Sequence, residues 1–181
     1  EARRRAQDLG VRNVVFEEAP AEKLPFGDAS FDIVTCRIAA HHFINVACFV
    51  AECARVLRPG GRFLLVDTTV PDEDDAAAKW QNAVEALRDP SHVENISPSN
   101  WRRLVENAGL TVEEATDAGD GITIPLEDWI VKAGCTISQA DEVRGMFAKA
   151  PASARKVFQI QNTPEGATIF TWRRLLLNAY R

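Results

Sequence analysis

Phe31-Asp32-Ile33-Val34-Thr35-Cys36 followed by Arg55-Val56-Leu57-Arg58-Pro59-Gly60-Gly61-Arg62-Phe63-Leu64-Leu65-Val66-Asp67 is the stretch whose reading decides the fold. Residues 31–36 are apolar and β-branched enough for a buried strand. From Val46 to Leu57 the period changes. Phe43, Val46, Ala47, Val50, Ala54 and Leu57 fall on one face of a helix, with Glu52 and Arg55 off that stripe. Pro59 presets φ for a turn and Gly60 can take φ > 0 at the next position, as a type II turn requires. A second apolar strand, Arg62 to Asp67, follows. Strand, helix, turn and strand at this spacing predict one right-handed βαβ crossover of an α/β sheet.

Working outward, Glu1 to Leu9 reads as a helix stopped at Gly10, and Asn13 to Glu17 as a short strand. After the crossover, Pro71 to Asp75 is an acidic loop, and Asp75 is placed to cap a helix over Ala76–Arg88. Asp89-Pro90-Ser91 breaks that helix. Ser97 to Asn100 offers caps for a helix from Trp101 to Asn107, ended by Gly109. Leu110 to Ala118 reads as a strand. Leu126–Lys132, Ala140–Lys149 and Ser153–Phe158 read as short helices, and Ala167–Tyr180 as one final strand.

Bulk properties narrow the function. With 181 residues and 46% hydrophobic content, one globular domain with a full core is the natural organisation. A net charge of −5 argues against a phosphate-backbone partner, and Arg3-Arg4-Arg5 is too short to supply a basic face. No apolar run approaches the ~20 residues that span a bilayer. Cys36, Cys48, Cys53 and Cys135 contain no C-x-x-C pair and no metal spacing, which points to free thiols and a cytoplasmic setting. No metal site is expected.

In open parallel sheets, ligands bind beyond the carboxyl ends of the strands. Three places qualify: Ala19-Pro20-Ala21-Glu22, the run Arg37-Ile38-Ala39-Ala40-His41-His42, and Asp67 with Asp89-Pro90-Ser91-His92-Val93. A histidine suits proton removal because its unperturbed pKa of about 6.5 lies near neutrality. His41, His42 and His92 are therefore the candidate catalytic residues. Adjacent side chains point apart, so at most one of His41 and His42 is expected to face the cleft; packing at a helix start is the bland alternative. Trp101, Trp129 and Trp172 could line a pocket with His92 or simply fill a core.

Ala21-Glu22-Lys23-Leu24-Pro25-Phe26, the Phe31 strand and Leu57-Arg58-Pro59-Gly60-Gly61-Arg62 together resemble class I S-adenosylmethionine-dependent methyltransferases. The type 11 group, which includes the ubiquinone/menaquinone C-methyltransferases, is the most similar. The resemblance implies S-adenosylmethionine as cofactor and a small-molecule or lipid-like acceptor. It places Pro20, Ala21 and Glu22 beside the adenine ring, and Arg37 and Ile38 against the cofactor. Many relatives carry Gly-Asp where this chain has Ala19-Pro20, so side-chain recognition by residue 20 is lost.

The resemblance also implies a fold class: an incomplete Rossmann-like methyltransferase sheet lacking its first two strands and the Gly-rich loop between them. The last strand runs antiparallel, and a helical insert over residues 120–165 precedes it within a single domain, 1–181. On that map the chain alone is expected to be inactive, and the Phe31 strand has an unpaired edge. Either the Val14 strand swings across to cover it or a second copy does, giving a homodimer. The alternatives are a non-catalytic binding or oligomerisation module and a nicotinamide-dependent enzyme. A-E-K-L-P-F and L-R-P-G-G-R favour the methyltransferase.

Overall fold

The computed structural model describes residues 1–118 and 122–181. After α1 (Ala2–Asp8), the chain runs without regular structure to β1 (Phe31–Arg37), turns through a 3-10 turn at Ala40–His42, and enters α2 (Val46–Val56). Asn45 caps α2 by accepting the Cys48 N–H through its side chain at 3.0 Å. β2 (Leu57–Thr68) pairs parallel with β1, so the crossover forms as the sequence predicts. Its strand begins five residues early, because Leu57 already pairs with Phe31 before the register shifts at the turn. Gly60 takes φ +79°, as the turn requires. At Gly61 a Cβ would sit 2.9 Å from the Arg58 carbonyl oxygen and 3.0 Å from that of Asp32. Only glycine lets the two strands approach there.

The rest of the chain forms α3 (Asp75–Arg88), α4 (Pro98–Asn107), β3 (Thr111–Asp117), β4 (Thr123–Pro125), α5 (Leu126–Ala133), α6 (Ile137–Ala148), α7 (Ala152–Val157), β5 (Gln161–Asn162), β6 (Thr168–Thr171) and β7 (Arg174–Tyr180). The main sheet has the order β1-β2-β7-β3, with β7 antiparallel to both neighbours. β4-β6-β5 form a second, small antiparallel sheet. Beneath the main sheet lies an apolar core of Phe49, Val50, Leu57, Phe63, Leu65, Trp101, Leu175 and Leu177, among others. A second core, with Trp129, Phe147, Phe158, Phe170 and Trp172 at its centre, is enclosed by α3, α5–α7 and the small sheet.

Several expectations change. Asn13–Glu17 is not a strand: Val15 is 82% exposed, and Phe16 is tied down through its carbonyl, which accepts from Arg3 Nη2 at 2.6 Å. A strand owes its stability to a neighbour's N–H and C=O groups, and among the described residues no strand pairs with this segment. The Val14 segment does not pair with β1 either; among the described residues β1 pairs with β2 alone, which leaves Ile33 56% exposed. The long C-terminal strand is two strands in different sheets, because Trp172 enters the second core while Leu175 enters the first. α3 is capped by Asp74 rather than Asp75, and α4 starts at Pro98, the first helical position that suits proline. Three helices occupy 126–157; the expected start of the insert, residue 120, lies outside the described residues.

Candidate functional site

The ends of β1 and β2 lie side by side, with Arg37 opposite Val66. Just beyond β1, Ile38 has φ +50° and donates its N–H to the Val66 carbonyl at 2.8 Å. A β-branched residue in the left-handed region costs about 1–3 kcal/mol. That strain sits where the sheet presents its ligand-binding end. It also turns the chain so that the 3-10 turn delivers His41 over the end of β2.

There His41 Nδ1 meets Asp67 Oδ1 at 2.6 Å, and Asp67 is 1% exposed. Asp67 also accepts backbone N–H groups from His41 at 3.2 Å and Thr68 at 2.8 Å. Backbone N–H groups only donate, so Asp67 is an acceptor on both oxygens. His41 Nδ1 therefore carries a proton and its Nε2 presents a lone pair. Burial works against charge on His41, but the hydrogen bond and negative charge of Asp67, with Asp89 beyond, raise its pKa above the ordinary value. Beneath this pair, burial and then the Asp67 charge push the Cys36 thiol up to about 11, so it stays neutral.

The three candidate histidines come together. The His41 and His42 rings are 4.1 Å apart and the His41 and His92 rings 5.7 Å. Both neighbours of the His-His pair thus reach one cluster, contrary to the alternation argument, because a 3-10 turn does not send successive side chains to opposite faces. His42 Nδ1 lies 3.1 Å from the Ser91 Oγ and carbonyl, and Asp89 accepts from Ser91 Oγ at 2.6 Å. The segment that follows is strapped to the turn, as Val93 and Glu94 both donate N–H to the His41 carbonyl.

Behind the histidines, α3 turns polar side chains inward. Gln81, Glu85 and the loop residue Asn95 are buried. Asn82 Oδ1 accepts from the Asn95 N–H at 2.7 Å and lies 3.0 Å from His92 Nε2. Sequence reasoning did not single out Gln81, Asn82, Glu85 or Asn95. The signal was present: Ala77, Gln81, Val84 and Glu85 fall on one helical stripe, so two polar residues occupy core-facing positions.

Of the expected cofactor residues, Arg37 ends β1 and Ile38 follows it, while Pro20, Ala21 and Glu22 lie in the segment before β1. Ala21 packs against the main core, and Pro20 closes a turn by accepting the Lys23 N–H at 3.1 Å. Glu22 Oε1 is 3.4 Å from the Asn45 N–H at the start of α2. Among the described residues, the N–H groups of Ala21 and Glu22 donate to no protein acceptor. A cavity of about 470 Å³ opens between Phe43–Val46, Val93–Ile96 and α4, and another of about 520 Å³ has Asn82 and Asn95 in its wall. The five cofactor candidates line neither. Trp101, Trp129 and Trp172 are buried in the two cores and line neither cavity, so the pocket role considered for them is replaced by packing.

A mixed α/β sheet of this order, with polar groups gathered at its strand ends, is the architecture of S-adenosylmethionine-dependent methyltransferases. A profile of the methyltransferase domain matches residues 1–65. The chain is 38% identical over 177 residues to the methyltransferase YcgJ of Bacillus subtilis, covering 97% of this chain and 69% of that protein. The crystal structure of YcgJ superposes with a TM-score of 0.90 at 36% identity, over 99% of this chain and 76% of that one. The protein BH2331 of Bacillus halodurans superposes at 0.91 with the same identity and coverage. A geranyl diphosphate methyltransferase solved with S-adenosylmethionine shares the fold alone, at 18% identity and a TM-score of 0.63, over 98% of this chain and 62% of that one. The chain belongs to the methyltransferase family, whose cofactor is S-adenosylmethionine. No helix among the described residues is long and apolar enough to cross a membrane.

Proposed function

We propose that the protein moves a methyl group from S-adenosylmethionine to a small-molecule or lipid-like acceptor, with His41 removing the acceptor's proton. The observation that carries this is the buried His41–Asp67 pair, which leaves a basic nitrogen at the ligand-binding end of the sheet. Bound at that end, S-adenosylmethionine would supply an electrophilic methyl group on a sulfonium. The chain's own residues have two tasks. Asp67 fixes the tautomer and orientation of His41 and stabilises its protonated form, while the cavities flanking Val93–Ile96 align the acceptor. His42 and His92 lie beside His41, outside the walls of both cavities.

On the cofactor side, the free N–H groups of Ala21 and Glu22 fit the edge of an adenine ring, and the Glu22 carboxylate fits an amine or hydroxyl donor. Arg37 and Ile38 would flank it at the end of β1. These groups serve one end of such a molecule, so the 181 residues alone are expected to hold it weakly and to turn over little. The test is made in the intact protein, with S-adenosylmethionine and a demethylmenaquinone analogue as probes. His41→Ala and Asp67→Asn should each lower kcat by about 10²–10⁴ while cofactor affinity from calorimetry stays within about threefold. Full turnover in both variants would remove His41 from the chemistry.

A further inference from the structure

We propose that Glu85 is held as an uncharged carboxylic acid, its Oε2–H directed at His92 Nδ1, so that the two residues share one proton and His92 stays neutral beside His41. The argument is a count of donors and acceptors. Asn82 Oδ1 accepts the Asn95 backbone N–H at 2.7 Å, which fixes that atom as the amide oxygen. His92 Nε2, 3.0 Å from the same oxygen, must then carry hydrogen. His92 Nδ1 is left as a bare lone pair, buried, with no hydrogen-bond partner. What faces it, at 3.6 Å, is Glu85 Oε2.

Glu85 tells the same story from the other side. Its Oε1 accepts from Gln81 Nε2 and from Asn95 Nδ2, both at 2.9 Å, which is the pattern of a carbonyl oxygen with both lone pairs in use. Among the described residues, Oε2 has no such donor. Two acceptors facing each other repel, and 3.6 Å is longer than a hydrogen bond; one proton between them turns the contact attractive. Gln81 Oε1, also buried and without a partner, adds another acceptor to a layer already short of donors.

The proton could in principle sit on His92, giving a buried ion pair. The surroundings decide against it. His92 is faced by His41 and His42 from the 3-10 turn, Asp67 from β2, Glu85 from α3 and Asp89 from its own loop, while Arg88 acts on Glu85. A second imidazolium 5.7 Å from the His41 ring would oppose the positive charge that His41 acquires. Burial, helped by His41 and His42, lowers the His92 pKa to about 4, and burial raises that of Glu85, so both favour their neutral forms.

The consequence rests on the His41 assignment above: a neutral Glu85–His92 pair keeps His92 from competing with His41 for the acceptor's proton. Glu85 is a positioning residue in this scheme and touches no reacting atom. Nitrogen-15 NMR of the histidine rings tests the pair directly. His92 should show the Nε2–H tautomer with Nδ1 unprotonated from about pH 5 to 8. Both ring nitrogens protonated at neutral pH would overturn the proposal. Glu85→Gln keeps the twofold acceptor and puts an N–H donor where the acid's O–H stands. It should keep Tm within about 2 °C and leave the His41 titration midpoint where it was. Loss of about 10 °C, failure to fold, or a displaced His41 midpoint would each count against it. None of these readouts uses acceptor or turnover, so failure of the methyl-transfer reading and failure of this pair are seen separately.

Discussion

The two apolar cores of this protein are assembled by different means. Under the main sheet, alternate residues of β2 (Phe63, Leu65) and β7 (Leu175, Leu177, Ala179) point inward, and the strand period decides who is buried. The second core has only short strands and short helices. It is filled by rings: Trp80, Trp129, Phe147, Phe158, Phe170 and Trp172, with centroids 4.6 to 6.3 Å apart. A long strand holds its side chains through many backbone hydrogen bonds; a cluster of rings holds short elements through contact area. α3 serves both regions. It gives Ala77, Trp80, Val84 and Leu87 to the aromatic core and Gln81 and Glu85 to the polar layer behind the histidines. The difference teaches that the polar layer behind the histidines sits at the seam, on the face of α3 that neither apolar core takes.

The largest test deletes a ring. Phe147→Ala and Phe63→Ala should each cost about 3–5 kcal/mol in urea unfolding. Phe147→Ala should lose near-ultraviolet circular dichroism from the clustered tryptophans at lower denaturant than far-ultraviolet signal. Coincident transitions in that variant would show the second core has no stability of its own. Next comes the crossover turn: Gly61→Ala drives a methyl group into two carbonyl oxygens and should destabilise by about 1–3 kcal/mol.

The seam itself should show opposing pH slopes. His41 has a raised pKa, so its contribution is complete below about pH 6.5 and is lost as pH rises through the folded value. His92 is depressed to about 4, so the unfolded chain takes the proton first and stability falls as pH drops from about 6.5 towards 4. Urea unfolding from about pH 4 to about pH 8, in His41→Gln and His92→Gln, should remove one slope each, the first above about pH 6.5 and the second below it. Slopes of the same sign would break the contrast. The smallest effect is a gain. Gly145 lies inside α6 with open space where a Cβ would go, so Gly145→Ala should stabilise by about 0.5–1 kcal/mol.

The crossover was legible because its signals are local and agree: period, turn chemistry and strand composition all point one way between Phe31 and Asp67. Asn13–Glu17 carries equally good strand composition and failed, because composition cannot report whether a neighbour exists. The small sheet was invisible for a related reason. β5 has two residues and β4 three, and their pairing is set by where the aromatic rings pack rather than by any alternation of their own. At the site, the histidines stood out by residue type. Their grouping depended on a 3-10 turn that Ala39-Ala40 does not announce. Glu85 escaped because an acidic residue on a helix is ordinarily read as solvated.

The place of β7 in the sheet has a consequence for how the molecule comes to be folded. β3 leaves the ribosome before the aromatic region, yet its sheet partner β7 follows that region. Among the described residues, β3 pairs with no other strand, so closure of the main sheet waits on the last strand in the chain. The intervening region is local by comparison: with α3 already made, its helices and small sheet need only one another. Its collapse would bring Asp117 and Arg173, which meet as an ion pair at its two ends, into reach. The aromatic unit then acts as a clasp that shortens the loop before the sheet is closed, lowering the entropic barrier that non-local pairing imposes on folding speed.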